Sequence, residues 1–322
     1  MPDPIRADRL PDMDSWQGRI DPEPKSERWH QVVTPWAGQA DPGFALLGFA
    51  CDEGVRRNKG RVGAKGGPTA LRRTLSSLAL HHAHPLRDAG DIVCADDDLA
   101  GAQQRLADAV QGLLAASQTP LIMGGGHEIA LGTWTGLAQH LAARDTEQTP
   151  RIGIINFDAH FDLRDPGQGP SSGTPFAQIA AACEDRGWPF RYACLGVSRA
   201  ANTRALFKRA DELAVVYRED HTMTPAALPE LHGLLTDFMA DCDQVYLTIC
   251  LDVFPAATVP GVSAPAARGV SLDVIEPLLV QIARSGRLAV TDMAELNPDF
   301  DIDQRSARVA ARLFHTLTQH WA

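Results

Sequence analysis

The chain has 322 residues and a formal net charge of −10, with 44% hydrophobic, 22% charged and only 6% aromatic residues. This balance belongs to a globular protein with a sizeable core, and its acidity excludes the broad basic face that nucleic acid or an anionic membrane requires. Small molecules are the partners left, because no stretch approaches the ~18 uncharged apolar residues of a membrane helix.

The opening residues, MPDPIRADRLPDMDSW, carry acids and prolines where an export signal needs a basic start and an apolar run, so a cytoplasmic protein is expected. Residues 1–42 hold seven prolines and three of the six tryptophans, Trp16, Trp29 and Trp36. Large rings are costly to leave in water, which favours an N-terminal arm docked on the body over a floppy tail. Residues 43–322 show no repeat, low-complexity segment or linker, and read as a single domain. Cysteines 51, 94, 183, 194, 242 and 250 form no CxxC pair, the pattern of free thiols in a reducing compartment.

In chain order, short apolar runs are expected as strands at Phe44–Ala50, Pro120–Met123, Arg151–Phe157, Arg191–Val197, Leu213–Tyr217, Val245–Leu251 and Leu288–Thr291. Helical periodicity fills 69–80, 101–117, 128–143, 175–186, 199–210, 224–240, 271–285 and the segment from about 303. Apolar strands alternating with helices predict an α/β fold whose parallel sheet is covered on both faces, with chemistry at the carboxyl ends of the strands.

Four of those ends carry chemistry-bearing residues. After the run ending at Met123 comes Gly124-Gly125-Gly126-His127-Glu128, a tight turn presenting a histidine; alone it reads equally as a phosphate loop or a plain turn. After Arg151–Phe157 come Asp158, His160 and Asp162, which share one face if the strand continues. Two buried carboxylates need a counter-charge, and a divalent cation supplies it; the competing reading is a solvated acidic turn. Period-2 spacing likewise pairs Cys250 with Asp252, and Glu295 follows the last run as an acid able to hold a cationic group.

The segments GGGHE, NFDAHFD, TICLD and AELNP occur in the order of the arginase (ureohydrolase) family motifs GGxH, DAHxD, SxDxD and ExNP, and the chain from about 43 to 322 resembles that family. The resemblance implies a three-layer α/β/α fold with a mainly parallel, eight-stranded sheet, two Mn²⁺ ions per subunit, and often a homo-oligomer. It makes His127, Asp158, His160, Asp162 and Asp252 metal ligands. Cys250 falls where the family has an aspartate shared by both ions, and a thiolate is softer than the carboxylate manganese prefers. Cys51, after the run FALLGFA, stands at a strand end as Cys250 does, and a disulfide between them would require Cα atoms within about 7 Å.

Between 54 and 73 stand seven basic residues and no acid. They read as a solvated loop, as salt bridges, or as guanidinium groups for substrate carboxylates. The strings DEGVRRNKGRVGA, FDAHFDLR and SSGTPF are similar to family members that hydrolyse N-formimidoyl-L-glutamate to L-glutamate and formamide in histidine breakdown, by a metal-bound hydroxide. On that likeness Arg57, Asn58, Arg61, Arg164, Ser172 and Thr174 would hold the glutamate end, Glu295 the amidine, and Asp162 the travelling proton. Phe176 stands near where arginases place a histidine. Two other expectations remain: hydrolysis of a guanidino acid such as guanidinobutyrate, and a metal-poor relative that binds without catalysis.

Overall fold

The computed structural model describes residue 5, residues 7–144 and residues 148–322. The apolar runs fold as strands β1 (Thr34–Pro35), β2 (Gly43–Ala50), β3 (Leu86–Val93), β4 (Gln118–Met123), β5 (Ile152–Phe157), β6 (Arg191–Val197), β7 (Val216–Glu219), β8 (Gln244–Cys250) and β9 (Leu288–Ala294). They form one sheet in the order β1-β3-β2-β4-β9-β8-β5-β6-β7. Every neighbouring pair is parallel, so all the strands deliver their carboxyl ends to one edge.

Between them lie α1 (Trp29–Val32), α2 (Glu53–Arg57), α3 (Gly67–Leu75), α4 (Leu99–Ala115), α5 (Ile129–Ala142), α6 (Pro175–Arg186), α7 (Arg204–Glu212), α8 (Leu228–Ala240), α9 (Leu272–Ala283) and α10 (Arg305–His320). Side chains alternate across the sheet: Leu121 and Met123 of β4 pack with α3, α8, α9 and α10, while Ile122 packs with α4, α5 and α6. The result is the three-layer α/β/α sandwich. Among the described residues no helix is long and apolar enough to cross a membrane.

Three differences from the expected elements have physical causes. The sheet has nine strands rather than eight; the short β1 pairs with β3 at the edge. The run expected at Leu213–Tyr217 starts later, at Val216, because Leu213 caps α7 and Ala214 turns the chain with φ +52°. No apolar run announces β3, Leu-Arg-Asp-Ala-Gly-Asp-Ile-Val, yet seven of its eight residues are buried. Its acids are neutralised from outside the strand: Arg72 of α3 donates to Asp88 at 2.7 Å and to Asp91 at 2.6 Å. A buried carboxylate pair is tolerable only with such partners.

The same strand receives the N-terminal segment. Trp16 Nε1 donates to Asp88 at 2.8 Å, Trp36 N–H to the Asp88 carbonyl at 2.7 Å, and Arg9 exchanges backbone bonds with Asp91. Trp16, Trp29 and Trp36 are all buried.

Candidate metal centre and active site

The central strands β2, β4, β9, β8 and β5 lie side by side, and the segments leaving their carboxyl ends build one pocket. At β5 the regular strand stops at Phe157, so Asp158, His160 and Asp162 do not converge by period 2 as expected. A loop brings them together instead. The Asp158 carboxylate accepts the His160 N–H at 2.7 Å, Asn202 accepts the Phe161 N–H at 3.1 Å, and Asp162 adopts φ +46°. Beyond β8 the chain turns at once into a 3₁₀ turn, Leu251–Val253, which carries Asp252; beyond β9, Glu295 turns with φ +73°.

His127 sits in the glycine turn before α5, with its ring 1% exposed. The three glycines are required: a Cβ on Gly125 would lie 1.7 Å from the Cys51 carbonyl oxygen, and one on Gly126 2.1 Å from Glu128 Oε2. Its Nδ1 lies 2.9 Å from both Asp158 Oδ2 and Asp162 Oδ2, while Nε2 lies 3.0 Å from Thr248 Oγ1. A neutral His127 that uses Nδ1 as a ligand therefore donates Nε2–H to Thr248, which fixes the tautomer. Phe176 packs edge-on against this imidazole at 5.4 Å and stacks on Tyr192, giving an apolar backing. His160 Nδ1 lies 3.1 Å from Asp252 Oδ2 and 3.5 Å from Asp158 Oδ1.

Two triads of donor atoms emerge, His127–Asp158–Cys250 and Asp158–His160–Asp252, each with its atoms within 4.8 Å of one another. They share Asp158. Nitrogen, carboxylate and sulfur donors converging in a buried cluster fit a pair of divalent cations, and His127 Nδ1 faces the carboxylate oxygens of Asp158 and Asp162 within it. Cys250 thus contributes its sulfur to one of the two donor triads, and no Cys51–Cys250 disulfide is formed: all six cysteines are free, and the Cys51 thiol lies 3.4 Å from Glu128 Oε1.

Burial and mutual repulsion shift these groups strongly. Burial, then the neighbouring Asp158, pushes Asp162 up to about 6, and burial with Glu128 nearby pushes Glu295 up to about 8. Burial alone would lift Asp158 too, but hydrogen bonds from His127 and His160 hold it well below its usual range. Against the same burial, their aspartate partners hold His127 and His160 well above 6.5. Burial among acids lifts the Cys250 thiol far up.

A stability prediction follows for the metal-free protein. Asp162 and Glu295 hold protons more tightly folded than unfolded, so the stability they contribute at acidic pH is lost as the pH rises through about 6 and about 8. His127 and His160 act in the same sense, and Asp158 acts oppositely only below its ordinary value. Chelated protein is therefore expected to lose several degrees of Tm between about pH 5 and pH 8.5, whereas Mn²⁺-loaded protein keeps its Tm. Calorimetry giving parallel pH profiles for both forms refutes this.

The pocket is a cavity of about 240 Å³. Its acidic floor is His127, His160, Asp162, Cys250, Asp252 and Glu295; Asn58, Lys59, Arg164 and Ser172 line its mouth. Asn58 and Arg164 meet over Gly173, where a Cβ would lie 3.2 Å from the Asn58 amide nitrogen and 3.0 Å from Arg164 Cδ. Thr174 and Arg57 line a side cleft shared with Arg164, and the Thr174 hydroxyl is engaged by Ser171 and Gln178. Arg57 is tied to Glu53 at 2.7 Å and to the Asp97 carbonyl at 2.9 Å. Arg61 spans the carbonyls of Pro260 and Val262 and lies over the Phe300 ring at 4.2 Å.

Sequence reasoning missed Lys59 as a lining residue, and also Ser263, whose hydroxyl donates to Glu295 Oε2, and Asn202. The last two lie in loops whose approach to the site is set by tertiary folding, with no local signal.

Residues 42–319 match the sequence pattern of the Arginase family. Formimidoylglutamase from Aeromonas hydrophila is 58% identical over 310 residues, covering 95% of this chain and 97% of that protein. Formimidoylglutamase from Ralstonia nicotianae is 55% identical over 303 residues, covering 92% of each. Among solved structures, Trypanosoma cruzi formiminoglutamase with Mn2+2 superposes with a TM-score of 0.80 at 25% identity, covering 92% of this chain and 98% of that one. Bacillus subtilis formimidoylglutamase shares the fold, with a TM-score of 0.82 at 22% identity over 94% of each chain.

Proposed function

We propose, from the premise that this chain belongs to the arginase family, that it hydrolyses N-formimidoyl-L-glutamate to L-glutamate and formamide, a step of histidine degradation. The observation that carries this reading is the pocket itself: an acidic, ligand-rich floor for an amidine beneath a mouth of amide, hydroxyl and cationic donors for carboxylates. Relatives of that name align over nearly the whole chain at 55–58% identity. The six free thiols accord with a reducing cytoplasm.

Two Mn²⁺ ions would be held by His127, Asp158, Asp162 and Cys250 on one side and by Asp158, His160 and Asp252 on the other. When bound, such ions supply Lewis acidity, lowering the pKa of a water toward ~7 and neutralising the carboxylates. The remaining work falls to side chains. Glu295, fixed by the His127 N–H at 2.8 Å and by Ser263, pairs with the amidine nitrogens and orients the formimidoyl carbon toward the floor. Water adds to that carbon and the bond to the glutamate nitrogen breaks. The water oxygen leaves in formamide. Asp162 accepts a proton from the attacking water and returns it to the departing amine. Asn58, Arg164 and Ser172 bind the glutamate end.

The test is release of glutamate and formamide from N-formimidoyl-L-glutamate by reduced protein, with Mn²⁺, with chelator, and beside arginine, agmatine and guanidinobutyrate. Turnover of the formimidoyl compound alone, abolished by chelator and restored by Mn²⁺, is expected. Urea from guanidinobutyrate instead, or silence on all four compounds by metal-loaded protein, overturns it.

A further inference from the structure

Of the seven basic residues between 54 and 73, most are engaged in holding the fold. Arg56 and Arg57 both pair with Glu53, Arg61 is committed to backbone carbonyls, and Arg72 is buried with Asp88 and Asp91. Lys65 and Arg73 are exposed and do not line the pocket. Lys59 does line it, and no ion pair or side-chain hydrogen bond engages its ammonium among the described residues.

Its backbone is informative. α2 ends with Asn58 as C-cap, and Lys59 follows with φ +62°. Lys59 N–H donates to the Arg56 carbonyl at 3.1 Å, and Gly60 N–H to the Val55 carbonyl at 2.9 Å. This paired closure of a helix end places its left-handed residue at Lys59, a position where glycine, lacking a Cβ, is favoured and lysine is strained. Three pocket-lining residues, Lys59, Asp162 and Glu295, share this unfavourable backbone, with φ of +62°, +46° and +73°. Strain concentrated around a pocket marks side chains that the site holds in place against local preference.

Resting on the functional reading above, we infer that Lys59 is the specificity-determining residue that binds the substrate carboxylate farthest from the amidine. The floor fixes the amidine, and the nearer carboxylate, one carbon from the amidine nitrogen, falls to Asn58, Ser172 and Arg164. The distal carboxylate then extends toward the exposed rim, where Lys59 stands. Lys59 and Arg164, two pocket-lining cations without an ion pair among the described residues, match the two negative charges of the substrate.

The test exploits the strain. Lys59→Gly removes the ammonium while relieving the backbone, so its Tm should equal or exceed that of the parent. Both proteins are assayed on N-formimidoyl-L-glutamate and on N-formimidoyl-L-glutamine, which keeps the size and loses the distal charge. The parent should prefer the glutamate compound, and Lys59→Gly should lower kcat/KM for it by about 10- to 100-fold, the worth of a charge-assisted bond, while changing the glutamine compound less than about threefold. Lys59→Met, which keeps the strain and loses the charge, should show the same loss of preference. A preference retained in both variants, or equal losses on both compounds, overturns the role of Lys59. Failure of the parent protein to turn over the glutamate compound overturns the functional reading itself.

Discussion

Asp158→Asn should lower kcat/KM by more than about a thousandfold and reduce bound Mn²⁺ to less than about half that of the parent protein. Asp158 is the residue common to both donor triads, and it is fully buried at the end of β5. One of its oxygens lies 2.9 Å from His127 Nδ1 and also accepts the Asn156 amide at 3.1 Å; the other accepts the His160 N–H at 2.7 Å. Asparagine preserves the shape and removes the charge that two cations would share, in a setting of low dielectric where that charge counts most. The neutral side chain also deprives His127 and His160 of one of the carboxylates that raise their pKa, Asp162 and Asp252 being the others, so both titrate lower in the variant. Elemental analysis of dialysed protein alongside steady-state rates checks this. Two retained ions with turnover within tenfold of the parent would sink the assignment of Asp158 as shared ligand.

Glu295→Gln is the second large effect. The carboxylate is held at both oxygens, by the His127 N–H and the Ser263 hydroxyl, and faces the pocket from the turn after β9. Burial and Glu128 push its pKa up to about 8, so it is poised to ionise when a cation arrives beside it. A cationic amidine is such a partner: addition of water with loss of a proton discharges its nitrogens, and protonation of the departing nitrogen restores positive charge beside the carboxylate. Glutamine keeps the hydrogen-bond geometry on one side and loses the charge, so kcat/KM should fall by about 10²- to 10³-fold with metal content unchanged. The discriminating measurement is metal content beside rate. A rate within tenfold of the parent shows that Glu295 does not meet the amidine, and metal loss would make it a support of the His127 turn instead.

How much of this was written legibly in the chain depends on whether burial and chemistry reinforce or oppose one another. Apolar strands such as Ile152–Phe157 announced themselves because both faces are covered. β3 did not, since Asp88 and Asp91 are paired with Arg72 from a helix and Asp88 accepts a hydrogen bond from Trp16 of the N-terminal segment, contacts that no local pattern encodes. The residues of the candidate metal centre stand in strand-end motifs, although the geometry that unites Asp158, His160 and Asp162 is a loop with a left-handed residue and not a continued strand. The basic string was legible as charge and opaque as role. Glu53, one residue before it, engages Arg56 and Arg57, and the carbonyls that engage Arg61 lie about 200 positions away. Lys59 is the member left to face the pocket, which only the end geometry of α2 reveals.

The all-parallel order of the sheet sets when this site can come into being. His127 and Glu295, joined by a direct hydrogen bond, are 168 residues apart, and β4 pairs with β9 in parallel, a pairing no hairpin can bridge. Contacts of such high sequence separation close late and slowly, because the entropy of a long loop must be met first. A nascent chain that has emitted β5 with its Asp158, His160 and Asp162 still lacks β8 and β9. The complete donor cluster therefore belongs to the finished topology: a chain that ends before β8 and β9 lacks Cys250, Asp252 and Glu295, which close it.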